Sequence, residues 1–138
     1  MNINLRKLNF NFQDKPLLIG GKAMEHYNIR KAGSDIDFVV SKRDHAKLIK
    51  KYPNHIKDLF GDIGVIEFEF EIWNQICTFD YEFLKKDAVE EKDYLIIAIE
   101  KLLLLKSIAM HADDKYRKDT ELIGNYIRNQ AYKNYVKE

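Results

Sequence analysis

Short alternating apolar runs and helical stripes divide the chain into strands and helices of comparable weight. Residues 1 to 14 mix apolar and polar positions without a clean period and end at Asp14-Lys15-Pro16, which predicts an edge segment leading into a first core strand over 17–20. Beyond it, Ala23, Met24 and Tyr27 have helical spacing, enough for two turns and a run of roughly 11 Å. A loop over 28–34 returns the chain to a second strand, Ile36-Asp37-Phe38-Val39-Val40. Ser41-Lys42-Arg43-Asp44 has the form of a capping box and opens a helix that fades near Tyr52-Pro53. A short helical piece is predicted over 55–60, stopped by Gly61-Asp62-Ile63-Gly64.

Residues 65–73 predict one strand: Ile66, Phe68, Phe70 and Ile72 alternate with Glu67, Glu69 and Glu71. Asn74-Gln75 is a turn candidate, and residues 76–83 alternate again as a further strand. The charged loop Lys85-Lys86-Asp87 leads to the longest predicted helix, over 93–111, apolar on nearly all sides and therefore central. A final amphipathic helix is expected from Tyr116 to about Val136, around Leu122, Ile123, Tyr126, Ile127, Ala131 and Tyr135. The elements predict a mixed α/β (α+β) domain: a small mixed or antiparallel sheet of about four or five strands, backed on one face by helices.

At 138 residues the chain has the length of a single domain, with a core over 15–90 and a helical part over 91–138. Its 23 basic and 22 acidic residues leave a net charge of +1, so no global field gathers nucleic acid or an anionic membrane, and any such contact is local. Lys47, Lys50 and Lys51 read first as the wet face of their helix. A lone cysteine, Cys77, excludes an internal disulfide, and the start Met1-Asn2-Ile3-Asn4 lacks a basic-then-apolar signal segment, which predicts a cytoplasmic protein. The most apolar region, 94–110, is interrupted by Glu100, Lys101 and Lys106, as suits a buried helix and no membrane span. The four histidines show neither ligand spacing nor an acidic partner pattern, and Cys77 reads as a small core residue.

Candidate chemistry sits in Leu17-Leu18-Ile19-Gly20-Gly21, a thirteen-residue link from Lys22 to Ser34, and Asp35-Ile36-Asp37. Alternation along a strand puts Asp35 and Asp37 on one side with Cα atoms roughly 6.5 Å apart, close enough to share a divalent cation. Gly20 and Gly21 carry no side chains, so backbone N–H groups there are open to a phosphate. Arg30 and Lys31 lie in the loop beside the acids, either as solvated loop charge or as partners of a triphosphate.

A strand ending in Gly-Gly, a spacer of this size, and Asp-x-Asp opening an apolar strand resemble the nucleotidyltransferase superfamily, the DNA polymerase beta-like fold. The resemblance covers residues 17–40 directly. It implies transfer of a nucleoside monophosphate from a nucleoside triphosphate, with Mg²⁺ or Mn²⁺ held by Asp35, Asp37 and a third acid from a neighbouring strand. That acid is placed by the resemblance at Glu69, followed by Glu71 and Glu67, with Asp80 in reserve. Gly20, Gly21, Ser34 and Arg30 would meet the nucleotide.

Lys106 with Ser107-Ile108-Ala109, then Arg117-Lys118-Asp119 and Glu121-Leu122, is similar to the tail of nucleotidyltransferases of the abortive-infection toxin kind. This likeness implies a place for Lys106 and Asp119 at the nucleotide phosphates and, as in toxin–antitoxin pairs, a protein partner. The alternative for Lys106 and Asp119 is an inter-helix salt bridge. The acceptor is left open among nucleic acid, protein and small molecule. An inactive domain that binds nucleotide or a partner is the alternative function, and a nucleic-acid-binding module without nucleotide chemistry leaves the glycine turn and paired aspartates unexplained.

Overall fold

A computed structural model of the chain describes residues 1–133 and 135, and divides it into two compact units, residues up to 98 and residues from 99 onward. In the first unit a 3₁₀ turn, Leu5–Leu8, precedes strand β1 (Leu17–Ile19) and helix α1 (Gly20–His26). Strand β2 (Ile36–Val39) and helix α2 (Lys42–Lys51) follow, then β3 (Ile56–Leu59), β4 (Asp62–Glu67) and β5 (Phe70–Trp73). The short pair β6 (Gln75–Ile76) and β7 (Phe79–Asp80) leads through α3 (Tyr81–Leu84) to β8 (Val89–Glu90) and β9 (Leu95–Ile96).

Seven of these strands form one mixed sheet in the order β3-β4-β5-β2-β1-β9-β8. At its centre β2 runs antiparallel to β1 and parallel to β5. Register makes each face readable, because paired residues point the same way. One face carries Ile96, Leu18, Phe38, Ile72 and Val65 in a continuous row, all fully buried. The opposite face has two zones. Leu17, Val39 and Trp73 form a buried apolar row that ends with the indole lying over Gly64, where an added Cβ would stand 3.0 Å from three ring carbons. The row beside it is Ile19, Asp37, Glu71 and Ile66.

The mixed α/β class agrees with the hydropathy pattern, whereas the sheet has seven strands in place of four or five. Several departures from the expected elements contribute to the difference. Residues 56–59 form strand β3 and no helix: Ile56 pairs with Val65, and the hairpin closes through Phe60 and Gly61, both at positive φ, with Asp58 Oδ1 accepting from Gly61 N–H at 2.9 Å. The expected strand over 65–73 is broken at Phe68 (φ +54) and Glu69, and its halves, β4 and β5, fold back on each other. Residues 94–98 are not helical: β9 pairs in parallel with β1, so helix begins only at Ile99. The strand expected over 76–83 likewise turns at Cys77 and Thr78, both at positive φ, and gives way to α3. Cys77 is exposed there and does not belong to the core.

The N-terminal fourteen residues are a strap and add no edge strand. Its anchor is Asp44, fully buried, whose carboxylate accepts from Gln13 N–H and Asp14 N–H at 3.0–3.1 Å. Ser41 caps α2 through the Asp44 N–H at 3.4 Å, so the Asp44 side chain serves the strap while the Ser41 hydroxyl serves the helix. Leu8 is fully buried and the Tyr52 hydroxyl donates to its carbonyl at 2.8 Å.

In the second unit α4 (Ile99–Ala109) packs against α5 (Lys115–Tyr132). The Val136 end expected for the last helix lies outside the described residues. Among the described residues no helix is long and apolar enough to cross a membrane.

His45 on α2 is buried and its Nε2 lies 2.8 Å from the Ile63 carbonyl, so that nitrogen carries the proton in the neutral ring. Burial pushes its pKa below the ordinary 6.5, opposed in part by that hydrogen bond. The unfolded chain therefore takes up a proton here before the folded one does, and stability falls as pH drops below about 6.5. Urea titrations from pH 7.5 to 5 should show the wild type losing stability more steeply than His45→Gln; parallel pH profiles would contradict this.

Candidate functional site

Strand β2 brings its carboxylates to the edge of the apolar zone because alternation leaves no other choice. Ile36 and Phe38 fill the core, so Asp37 must face the other way. Asp35, just before the strand, is exposed, and Asp37 is half-buried.

Two neighbours define the surroundings of Asp37. On one side β1 ends at Ile19, its register partner, and the chain turns at Gly20 with φ +68. A Cβ at Gly20 would stand 2.5 Å from Asp37 Oδ2 and 3.3 Å from Cβ and Cγ, so only glycine supplies both the left-handed backbone and the space the carboxylate occupies. On the other side the register partner is Glu71 of β5. In parallel pairing their side chains stand on the same face. Glu71 is half-buried, and its pKa is raised by burial first and then by the negative charge of Asp35, with Lys57 acting in the opposite direction. Lys57 pairs with Gly64 on β4 and so shares this face.

Asp35, Asp37 and Glu71 are thus the acids that the fold gathers. Glu69 stands apart: it lies in the β4–β5 turn, its carboxylate accepts from Lys7 Nζ at 2.9 and 3.1 Å, and that bond holds its pKa low. Its carbonyl accepts from Ile36 N–H at 2.9 Å, which makes the residue a hinge of the sheet. Glu67 is paired with His55, and Asp80 caps α3 by accepting from Phe83 N–H at 3.0 Å.

The loop between α1 and β2 is pinned by Glu25, whose Oε1 accepts from Ala32 N–H at 2.9 Å; that bond lowers the Glu25 pKa. Arg30 folds back over the glycine turn, with guanidinium nitrogens 3.6 and 3.7 Å from where a Gly21 Cβ would lie, and donates to the Lys31 carbonyl at 2.9 Å. Ser34 is exposed beside Asp35. In the second unit Lys106 Nζ lies 3.0 Å from Asp119 Oδ2, both side chains nearly buried, with the Tyr116 ring centroid 5.0 Å from the ammonium. The inter-helix salt bridge foreseen as one role for this pair is therefore present.

The acids are all oxygen donors, which suits a hard divalent cation by chemistry. Their strand positions adjoin, yet among the described residues no three Asp, Glu, His or Cys side chains stand in an arrangement that would hold a metal as placed. Side-chain rotation about Asp35, Asp37 or Glu71 would be needed to converge their oxygens. The sequence pattern ranked Glu71 second and did not single out Lys57. Glu71 ranked behind Glu69 because the break at Phe68 has no glycine or asparagine to announce it, and Lys57 lay in a segment with a helical look.

Comparison of the chain with protein-family models, curated proteins and solved structures finds no significant match.

Close packing of Gly20 on Asp37 has an energetic signature. Gly20→Ala should cost at least about 1 kcal/mol from the left-handed backbone alone, and more from the clash. In an Asp37→Ala background the same change should cost less, by at least about 0.5 kcal/mol. Chemical denaturation of the four proteins in this cycle measures it; a neutral Gly20→Ala or strict additivity would contradict the contact.

Proposed function

We propose that the chain is a Mg²⁺- or Mn²⁺-dependent nucleotidyltransferase of the cytoplasm, with Asp35, Asp37 and Glu71 as its acids. The register pairing of Asp37 with Glu71, beside a glycine turn closed on Asp37, is the observation that carries this reading. In the reaction an acceptor oxygen attacks the α-phosphorus of a nucleoside triphosphate, the bond to the β-phosphate's bridging oxygen breaks, and pyrophosphate leaves. Divalent cations, when bound, neutralise charge on the attacking and leaving oxygens.

The chain's own residues prepare that charge balance. Burial and the nearby Asp35 disfavour ionised Glu71, so the cluster is electrostatically uncomfortable by itself and gains when a cation arrives. Asp37 fills the side-chain space at Gly20, and Arg30, lying over Gly21, supplies a fixed positive charge at the turn for a phosphate. Ser34 offers a hydroxyl next to Asp35. Glu69 holds Lys7 and the β4–β5 turn, and so supports the position of Glu71 without being a ligand. Lys106 and Asp119, already paired, keep the α4–α5 helices together. The acceptor, whether nucleic acid, protein or small molecule, and any partner protein are not specified by these residues.

Calorimetric titration with each of the four ribonucleoside triphosphates, with and without Mg²⁺, tests the assignment. The wild type should bind at least one of them only with metal. Asp35→Ala with Asp37→Ala should abolish binding, Glu71→Gln should weaken it by at least about tenfold, and Glu69→Gln should leave it within about twofold. Binding indifferent to the aspartates, or lost in Glu69→Gln and retained in Glu71→Gln, would overturn the assignment. Absence of binding by the wild type would favour the inactive, partner-binding alternative.

A further inference from the structure

The N-terminal strap borders a groove of about 840 Å³ that plays no part in the carboxylate site. Arg6, Phe10, Asn11, Phe12 and Gln13 line it from the strap, and Lys92 from the segment ahead of β9. The strap is held in place: Leu8 is fully buried, Asp44 takes the Gln13 and Asp14 N–H groups, Lys51 reaches the Asn9 carbonyl, and Lys7 reaches Glu69. The groove wall is therefore built before any ligand arrives.

Its chemistry is specific in kind. Phe10 and Phe12 are half-buried and meet edge to face with centroids 4.9 Å apart, leaving ring surface at the groove. Asn11 and Gln13 are exposed and offer both donors and acceptors. Arg6 and Lys92 are exposed cations. Lys15, also on the lining, is engaged by Glu90 at 2.8 Å and by the Glu91 carbonyl at 2.7 Å, and Asp93 contributes one negative charge. Aromatic faces, amides and two cations match stacked bases, base edges and phosphodiesters respectively. A chain with net charge +1 lacks a general attraction for nucleic acid, so binding has to come from a local surface of this kind.

We infer that this groove binds a short single-stranded nucleic acid, its bases against Phe10 and Phe12 and its phosphates at Arg6 and Lys92. This inference does not depend on the nucleotidyltransferase reading, and it is tested without metal or triphosphate.

Fluorescence anisotropy of labelled eight-nucleotide oligoribonucleotides and the matching oligodeoxyribonucleotides, in EDTA at 50 mM salt, should show a Kd on the order of 10 to 100 µM. Phe10→Ala with Phe12→Ala should weaken binding about tenfold or more. Arg6→Gln with Lys92→Gln, both exposed and safe for folding, should make the slope of log K against log salt shallower by about 1.4. Lys47→Gln with Lys50→Gln on α2 should change neither quantity. Preference for RNA over DNA would assign a 2′-hydroxyl contact, and equal affinity would assign the shared backbone and bases; both support the groove. No binding of either oligonucleotide, binding unaltered by the groove variants, or binding lost in the α2 variant would overturn it.

Discussion

The carboxylate site proposed for the first unit depends on the register of β2 between β1 and β5. Phe38 meets Leu18 on one side and Ile72 on the other, all fully buried, and this apolar row fixes the alignment. A slip of one residue would drive Phe38 outward and Asp37 into the core, a change of many kcal/mol in the wrong direction. The same alignment sets Asp37 beside Glu71 and beside the turn at Gly20. Core packing therefore positions Asp37 and Glu71, although neither is part of the core.

The two zones of the second face show how one sheet accommodates both packing and charge. Trp73 over Gly64 completes an apolar layer, and two residues back along each strand, on the same face, lie Asp37 and Glu71. Burial of Glu71, and after it the negative charge of Asp35, is why this carboxyl resists ionisation. Glu69, three residues from Ile66 and in the turn, is spared that cost by Lys7. Adjacent glutamates of one run thus take opposite tasks: one structural and paired, the other held beside the aspartates.

Local signals in the sequence were sufficient for β1, α1, β2 and α2. Each is announced within its own residues, by an apolar run, a glycine turn, helical spacing or the Ser41 cap. Elements defined by distant partners were not legible. Residues 56–59 become a strand because β4 lies beside them, and 95–96 because β1 does. Turns at Phe68, Cys77 and Thr78 use left-handed backbone without glycine, so composition gave no warning of them. At the site, the aspartate pair and glycine turn were readable from spacing. The pairing of Glu71 with Asp37, and the place of Glu69 in the turn, depended on where the alternating run folds back on itself.

The account turns on whether Glu71 shares its electrostatic environment with the aspartates, and carboxyl-carbon NMR measures that directly. In metal-free solution Glu71 should titrate above the usual 4.5 for a glutamate, and Asp35→Asn should bring it down. Adding Mg²⁺ should lower it further and shift the Asp35 and Asp37 signals together, with Glu69 unaffected. An ordinary Glu71 titration, indifferent to both Asp35→Asn and Mg²⁺, would contradict the carboxylate site proposed for this chain.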